Sequence, residues 1–231
     1  MDELDTAIIL AGGRGTRLGK LTEEMPKPML RIKGKPILQH MIEQFSSYGV
    51  KKVILAIHYK KEKIIEYFGD GKNMVEEIIY SEEKEPLGTG GPLKLAETHL
   101  NRTFVFANGD TLFKFDLSAM IRFHKKNNAQ LTIALKEVED PRRFGVAELS
   151  GDRITKFIEK PKVPPSNLIN AGVYIVEPSV LKHIRRGKFC SFEMEVIPKL
   201  IESGRVFGYK ISGPWIDAGL PETLKLAEET W

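Results

Sequence analysis

Short apolar runs and longer periodic segments alternate along the first half of the chain. The apolar runs cover 7–11, 53–57 and 104–107, and turn residues such as Gly12-Gly13 and Asn108-Gly109-Asp110 bound them. Uninterrupted apolar runs of this length are typical of strands that are buried on both faces of a sheet. The sequence therefore predicts buried strands at these three places.

Segments with the period of an α-helix separate the runs. Residues 36–48 place apolar side chains at every third or fourth position after Pro36, and 62–68 and 92–100 follow a similar pattern. Strands that alternate with helices need crossover connections, which favour a parallel sheet. We therefore predict an α/β fold with a Rossmann-like, mainly parallel mixed sheet and helices on both faces.

The second half of the chain has a different pattern, in which short turns such as Ser150-Gly151-Asp152 join neighbouring strands. The predicted elements are helices over 117–127, 178–184, 194–203 and 221–229 and strands over 130–135, 146–149, 154–158 and 171–176. Because no segment rich in Pro, Gly or Ser divides the chain, we expect a single domain over 1–231.

Composition and charge narrow the classes of function. Hydrophobic residues make up 42% and charged residues 29% of the 231 positions, which argues against disorder. The 35 Lys and Arg against 31 Asp and Glu give a net charge of +4, which suits an anionic ligand. The sequence lacks basic clusters interleaved with aromatic residues, so we expect no nucleic-acid partner.

Cysteine use and hydropathy bear on location. Cys190 is the single cysteine, so an internal disulfide and a zinc site of several thiolates are excluded. No apolar run approaches the ~20 residues of a membrane span, and the acidic residues 1–5 do not resemble a signal peptide. We therefore expect a cytoplasmic protein without a membrane partner.

A glycine-rich loop follows the first predicted strand. It reads Leu10-Ala11-Gly12-Gly13-Arg14-Gly15-Thr16-Arg17-Leu18, and Lys27 follows between two prolines. Glycines directly after a buried strand let backbone N–H groups approach a bulky anion, and ligands of open α/β sheets bind beyond the carboxyl ends of the strands. The alternative is a tight turn with a solvated Arg and Lys.

The loop does not fit the two commonest nucleotide motifs. A dinucleotide-binding pattern needs glycine where Arg14 or Leu18 stands, and a Walker loop needs glycine at Arg14 and Ser or Thr at Leu21. The loop does provide two cations, Arg17 and Lys27, which can neutralise a triphosphate. We therefore predict a nucleotide site of another type.

Two aspartates are candidate metal ligands. Asp110 follows the third apolar run, and Asp217 follows Trp215-Ile216 late in the chain. Magnesium binds one or two carboxylates together with phosphate oxygens and water, so a converging pair would suit it. Isolated aspartates are more often caps or turn residues, and we predict that Asp116 caps the helix that begins at Leu117.

Six motifs, in order along the chain, resemble the sugar-1-phosphate nucleotidyltransferase family, as does the glycine loop. They are Glu85-Pro86-Leu87-Gly88-Thr89-Gly90-Gly91, Asn108-Gly109-Asp110, Phe144-Gly145-Val146, Glu159-Lys160-Pro161, Asn170-Ala171-Gly172-Val173-Tyr174 and Trp215-Ile216-Asp217-Ala218-Gly219. Among subfamilies the sequence is most similar to the mannose-1-phosphate guanylyltransferases. It departs from the family pattern at Gly19-Lys20, and because it ends at Trp231 we expect no C-terminal left-handed β-helix.

The resemblance implies a reaction and its partners. A nucleoside triphosphate and a sugar 1-phosphate would give a nucleotide sugar and pyrophosphate, with GTP and mannose 1-phosphate giving GDP-mannose as the favoured pair. Mg²⁺ would be the cofactor. The resemblance leaves open whether the protein forms a homo-oligomer. Residues 1–116 would form the nucleotide-binding half and 117–231 the sugar-phosphate-binding half. Thymidylyl, uridylyl or heptose-1-phosphate guanylyl transfer and a non-catalytic regulatory subunit are the alternatives.

The resemblance also assigns residues. Arg17, Lys27, Asp110, Lys160 and Asp217 would be catalytic, with Asp110 and Asp217 holding the metal. The nucleotide would contact Leu10, Ala11, Gly12, Gly13, Arg14, Gly15, Thr16, Arg17, Lys27, Glu83, Gly88 and Asp110. The sugar phosphate would contact Gly145, Glu159, Lys160 and Asn170, with Glu193 and Glu195 as further candidates.

Three local expectations can be tested separately. Guanine presents two adjacent donors that one carboxylate can accept, so Glu82 or Glu83 in the acidic loop is the predicted base reader, unless the loop is only solvated. Because Lys160 precedes Pro161, we expect an extended backbone there. Tyr174, Phe144 and Trp215 are expected in the core rather than against a ligand.

Overall fold

The computed structural model describes residues 4–231 and confirms the α/β class with a mixed sheet. The strands, in chain order, are β1 Thr6–Leu10, β2 Arg31–Ile32, β3 Lys35–Pro36, β4 Lys52–Ile57, β5 Glu77–Glu82, β6 Phe104–Asn108, β7 Thr111–Phe113, β8 Leu131–Glu137, β9 Gly145–Ser150, β10 Arg153–Glu159, β11 Leu168–Val176, β12 Val206–Lys210 and β13 Trp215–Asp217. The α-helices are α1 Ile37–Ser47, α2 Lys61–Phe68, α3 Gly91–Leu95, α4 Leu117–Lys126, α5 Ile197–Ile201 and α6 Pro221–Thr230.

The chain folds into two compact units made of interleaved segments. The first contains Met1–Pro86, Ala107–Lys114 and Gly213–Trp231, and the second contains Leu87–Phe106 and Phe115–Ser212. The halves expected at 1–116 and 117–231 stay a prediction. Among residues 4–231, every helix is too short or too polar to cross a bilayer.

Parallel strands form the centre of the first unit. β1 pairs with β4, and β4 pairs with β5 in the same direction. Helix α1 buries its apolar positions from Ile37 to Phe45, the face that the periodic pattern predicts. All three strands therefore end on one edge, where the glycine loop, His58 and Glu83 follow them.

The second unit has a mixed sheet. β8 is parallel to β12 and antiparallel to β11, while β9 and β10 form an antiparallel pair. In its core Phe106 stacks on Tyr174 with ring centroids 4.7 Å apart, and Phe192 packs edge-on against both rings. Tyr174 is fully buried, which confirms its predicted core position, whereas Phe144 and Trp215 are only partly buried.

Most predicted elements are confirmed, and several are wrong in kind or extent. The helix predicted over 92–100 is interrupted, because α3 ends at Leu95 and a 3-10 turn covers Glu97–His99. The segment 178–184 forms a 3-10 helix, and 194–203 begins as a π-helical turn at Phe192–Val196 before α5. The sequence pattern predicts no strand at β2, β3, β5, β7, β12 or β13. Asp116 accepts the N–H of Ala119 at 2.9 Å, which confirms the predicted cap of α4.

Candidate active site

The glycine loop of residues 12–17 leaves β1 and enters a 3-10 helix at Thr16–Thr22. Gly15 has a φ of 65°, and a Cβ atom there would lie 2.9 Å from the Cβ of Lys27. The hydroxyl of Thr22 donates to the carbonyl of Gly15 at 3.1 Å. The loop is therefore folded tightly against Lys27, and only glycine fits at position 15.

The two arginines of this loop are exposed. The guanidinium of Arg14 lies 5.5 Å from the ring centroid of Tyr59, a cation–π distance. Arg17 is exposed and makes no ion pair within the part of the chain that the structure describes. Its donors are consequently available to an anion from solution.

Lys27 is a buried cation between two carboxylates. Only 8% of its side chain is exposed; its Nζ lies 2.5 Å from Asp110 Oδ2 and 3.8 Å from Asp217 Oδ1. A buried ammonium requires such partners, because desolvation alone would strongly disfavour its charge. The side chain of Asp110 is 35% exposed and that of Asp217 is 17% exposed, so this cluster is accessible to solvent.

Backbone pairing brings the two aspartates together from distant parts of the chain. β13 runs antiparallel to β7, which places Asp217 opposite Thr111. The N–H of Ala218 also donates to the carbonyl of Asp110 at 2.9 Å. The carboxylates that the sequence predicts as a pair thus lie at one place, with the ammonium of Lys27 between them.

The chemistry of this cluster fits a hard divalent cation. Asp110 and Asp217 supply carboxylate oxygens, the ligands that Mg²⁺ prefers, and phosphate oxygens and water would supply the remaining ligands. Oδ1 of Asn108, two residues before Asp110, is buried and has no hydrogen-bond partner within 4–231. Within the same residues no group of three or more His, Cys, Asp and Glu side chains could hold a metal by itself. A metal here would therefore depend on the substrate for part of its ligands.

Glu83 lies against the glycine loop, whereas Glu82 does not. Oε1 of Glu83 would be 3.1 Å from a Cβ atom on Gly12, so the carboxylate sits beside that backbone. Glu82 is paired with Lys61 at 2.5 Å. His58 donates its Nδ1 proton to the carbonyl of Glu83 at 2.9 Å. His58 is not among the predicted site residues. Its position directly after the end of β4 could have indicated a site residue, because ligands of α/β sheets bind beyond the strand ends.

The predicted sugar-phosphate residues lie in the second unit. Gly145 and Glu159 are opposite each other in the β9–β10 ladder, and a Cβ atom on Gly145 would lie 2.8 Å from Oε2 of Glu159. A Cβ atom at position 145 would also overlap the ring of Phe157, so any larger residue there would displace that ring or this carboxylate. The Nζ of Lys160 is 3.2 Å from Oε1 of Glu159, and 61% of its side chain is exposed.

The backbone of Lys160 differs from the expectation. Its φ is 47°, in the left-handed region, so the extended conformation predicted from Pro161 is wrong. The N–H of Lys160 donates to the carbonyl of Phe144 at 3.0 Å, and this bond turns the chain at the end of β10. A tertiary hydrogen bond thus overrides the local preference of the residue before a proline.

Asn170 begins a chain of hydrogen bonds that runs into the core. Its Oδ1 accepts the N–H of Gly172 at 3.0 Å, and its Nδ2 donates to the hydroxyl of Tyr174 at 2.6 Å. The Tyr174 hydroxyl donates in turn to Oε1 of Glu193 at 3.5 Å. Burial raises the pKa of Tyr174 well above its ordinary value, and the neighbouring Glu193 acts in the same direction. The hydroxyl therefore keeps its proton and acts as a donor.

Gly88, a predicted nucleotide contact, lies in the second unit. It has a φ of 77°, and a Cβ atom there would overlap the carbonyl oxygen of Cys190. The N–H of Gly90 donates to the same carbonyl at 2.9 Å. The glycine is thus needed for packing against Cys190, whatever else it contacts.

Comparisons with known proteins extend over nearly the whole chain. The Nucleotidyl transferase family matches residues 6–230. The mannose-1-phosphate guanylyltransferase of Mycobacterium tuberculosis is 41% identical over 220 residues, which are 94% of this chain and 61% of that protein. This chain therefore spans about 61% of the length of the curated relatives it matches.

Solved structures share the fold. The crystal structure of HddC from Yersinia pseudotuberculosis, complexed with GMP-PN, is 32% identical with a TM-score of 0.81 and covers 97% of this chain and 98% of its own. A structure from Bacillus anthracis, described as a glucose-1-phosphate thymidylyltransferase in complex with a sucrose, has a TM-score of 0.90 at 25% identity. It covers 97% of this chain and 94% of its own.

Proposed function

The chain belongs to the Nucleotidyl transferase family, and from this premise we propose that it transfers a nucleotide from a nucleoside triphosphate to a sugar 1-phosphate and releases pyrophosphate. The favoured substrates are GTP and mannose 1-phosphate, which give GDP-mannose. The observation that carries the proposal is the cluster of Lys27, Asp110 and Asp217 behind the glycine loop. It combines a buried cation with a carboxylate pair where a nucleotide phosphate would bind.

The proposed reaction needs charge neutralisation more than proton transfer. A phosphate monoester has a second pKa near ~6, so the nucleophile is largely ionised at neutral pH without a general base. The obstacle is repulsion between two anions, and positioned cations reduce it. We assign Arg17 to the departing pyrophosphate, Lys27 to the nucleotide phosphates and Lys160 to the sugar phosphate.

Mg²⁺ is the proposed cofactor, held by Asp110 and Asp217. When bound, such an ion supplies Lewis-acid activation and charge neutralisation at a phosphoryl oxygen. Lys27 balances the negative charge of the same two carboxylates in this partly buried place. Turnover is expected to cease with EDTA and to return when Mg²⁺ is added in excess of the chelator.

Guanine is the proposed base, and Glu83 is its proposed reader. A carboxylate can accept both N1–H and N2–H of guanine, and Glu83 is held beside Gly12 at the edge where β1 and β4 end. The relative HddC is solved with GMP-PN, which supports a guanine nucleotide. The fold likeness to a protein described as a thymidylyltransferase supports dTTP as the second candidate.

A pyrophosphate-release assay tests the proposal. Wild-type protein is incubated with Mg²⁺, mannose 1-phosphate and one of GTP, dTTP or UTP, and omission of the sugar phosphate is the control. We expect GTP to give the highest kcat/KM. A preference for dTTP or UTP would contradict Glu83 as a guanine reader, and absence of turnover with every pair would favour a non-catalytic regulatory subunit.

Location and assembly complete the proposal. We propose a cytoplasmic enzyme, because the single cysteine suits a reducing compartment. Its proposed partners are the two small substrates, and light scattering of purified protein would determine whether it forms a homo-oligomer.

A further inference from the structure

The hydroxyl of Tyr174 has its hydrogen bonds determined by its neighbours. Tyr174 is fully buried, so its donor and its acceptor must both be satisfied within the protein. Asn170 Nδ2 donates to it at 2.6 Å, and its own proton is directed to Glu193 Oε1 at 3.5 Å. The hydroxyl therefore accepts from the amide on one side and donates to the carboxyl on the other.

The carboxyl of Glu193 is fixed from its other side. Its Oε2 accepts from the hydroxyl of Thr89 at 2.5 Å and from that of Ser191 at 3.3 Å. Thr89 in turn accepts the backbone N–H of Phe192 at 2.9 Å, so its hydroxyl cannot rotate freely. Glu193 is only 9% exposed, and these hydrogen bonds hold its carboxyl group in the interior of the second unit.

The orientation of the Asn170 amide follows from this chain. Its Oδ1 accepts from Gly172 and its Nδ2 donates to Tyr174, so a rotation of the amide by half a turn would lose both bonds. Asn170 is only partly buried. One amide N–H and one lone pair of Oδ1 stay available, a combination that suits neighbouring sugar hydroxyls, one as acceptor and one as donor.

We propose that Tyr174 and Glu193 are positioning residues that fix the amide of Asn170 toward the hydroxyl groups of the sugar 1-phosphate. This inference rests on the proposed function. It adds Tyr174 and Glu193 to the residues that determine which sugar 1-phosphate binds. Tyr174 acts through Asn170, and Glu193 acts through Tyr174. The nucleotide is not involved, so loss of the chain should affect one substrate only.

Tyr174→Phe tests the proposal, with Tyr209→Phe in the same unit as the matched control. Titration calorimetry measures the affinity for mannose 1-phosphate, and steady-state kinetics measures KM for each substrate. We expect Tyr174→Phe to weaken mannose 1-phosphate about 10-fold, the effect of one lost hydrogen bond that leaves a buried group unpaired, with KM for GTP changed less than twofold. Tyr209→Phe should match the wild type.

A double-mutant cycle separates positioning from general damage. Asn170→Ala alone should weaken the affinity for mannose 1-phosphate to a similar degree. Adding Tyr174→Phe to this variant should not weaken the affinity further, because Tyr174 acts only through the Asn170 amide. The proposal would be overturned if the double variant lost affinity for mannose 1-phosphate by the product of the two single losses, because the residues would then act independently. Should Tyr174→Phe not fold, Glu193→Gln replaces it with the same expected selectivity for the sugar.

The same measurements distinguish this inference from the proposed function. Wild-type protein that binds mannose 1-phosphate but releases no pyrophosphate contradicts the proposed activity only. Unchanged affinity for mannose 1-phosphate in Tyr174→Phe, with normal turnover, overturns the inference only. Wild-type protein that does not bind mannose 1-phosphate contradicts both.

Discussion

At the scale of single residues, the two cations of the nucleotide site have opposite surroundings. Arg17 is exposed on a short 3-10 helix, whereas Lys27 is buried between Asp110 and Asp217. An exposed side chain without an ion pair contributes little to the free energy of unfolding. A buried cation contributes more, because without it the neighbouring carboxylates would have no partner for their negative charge. The two residues should therefore respond differently to substitution.

Arg17→Ala is expected to retain the fold and lose turnover. Its unfolding free energy should stay within about 0.5 kcal/mol of the wild type, because the side chain is exposed. Its kcat should fall ~10²-fold or more, by analogy with the loss of a donor that stabilises charge in a transition state. Urea unfolding and pyrophosphate release measure the two effects. Lys20→Ala, on the same helix, is the control, and near-normal turnover of Arg17→Ala would remove Arg17 from the mechanism.

Lys27→Met is expected to lose both stability and turnover. The methionine fills the volume but leaves Asp110 and Asp217 without their cation. Breaking a fully buried pair costs ~3–5 kcal/mol, and we expect roughly 1–3 kcal/mol here because Asp110 reaches solvent. Urea unfolding compared with Lys20→Met measures the loss. A variant as stable as the wild type would show that the carboxylates do not need this ammonium.

The residue scale also marks the limit of sequence analysis. The glycine loop, Lys27 and the two aspartates are identifiable because each has a spacing and a chemistry of its own. The left-handed backbone of Lys160 is not, because its cause is a hydrogen bond to Phe144, 16 positions earlier in the chain. Local preference alone predicts the opposite conformation.

At the scale of elements, predictability depends on burial. The strands β1, β4 and β6 are nearly continuous apolar runs because both faces are covered, and their positions could be predicted. β5 could not, because only Ile78 of its six residues is buried and polar residues interrupt it. β12 carries Gly208 at its centre, where Leu135 leaves no space for a Cβ atom, and glycine lowers any strand signal.

Gly109→Ala tests how the end of β6 is attached to the end of β1. The N–H of Gly109 donates to the carbonyl of Leu10 at 2.9 Å, and a Cβ atom would overlap that oxygen. We expect a loss of ~1–3 kcal/mol in unfolding free energy, because backbone must move. Gly13→Ala is the matched control, since no atom lies within 4 Å of its Cβ position. Equal urea midpoints for the two variants would contradict the close contact.

At the scale of the whole molecule, stability should depend on a buried histidine. His124 in the second unit is 2% exposed and contacts Thr132 at 2.8 Å and Glu177 at 3.2 Å. Burial lowers its pKa from the ordinary value near 6.5, Glu177 opposes this shift, and Arg205 and Lys125 reinforce it. The unfolded chain therefore takes up a proton at a higher pH than the folded protein does.

The sign of the pH dependence follows from linkage. Stability from His124 is fully present above pH ~6.5 and is lost as the pH falls toward its lowered folded pKa. We expect the unfolding free energy of the wild type to decrease more between pH 7 and 5 than that of His124→Gln. Urea titrations at several pH values measure this slope. His183→Gln, at an exposed position, should keep the wild-type slope, and a steeper slope in His124→Gln would show the opposite linkage.

The first unit is made of three separate segments of the chain, and this has a consequence for its folding during protein synthesis. Its last segment, Gly213–Trp231, includes Asp217, which leaves the ribosome about 100 residues after Asp110 does. At translation rates of ~5–20 residues per second, this unit waits roughly 5–20 seconds for its final strand and helix. A nascent chain stalled at residue 212 should therefore carry an unfinished first unit, although both segments of the second unit have already been synthesised.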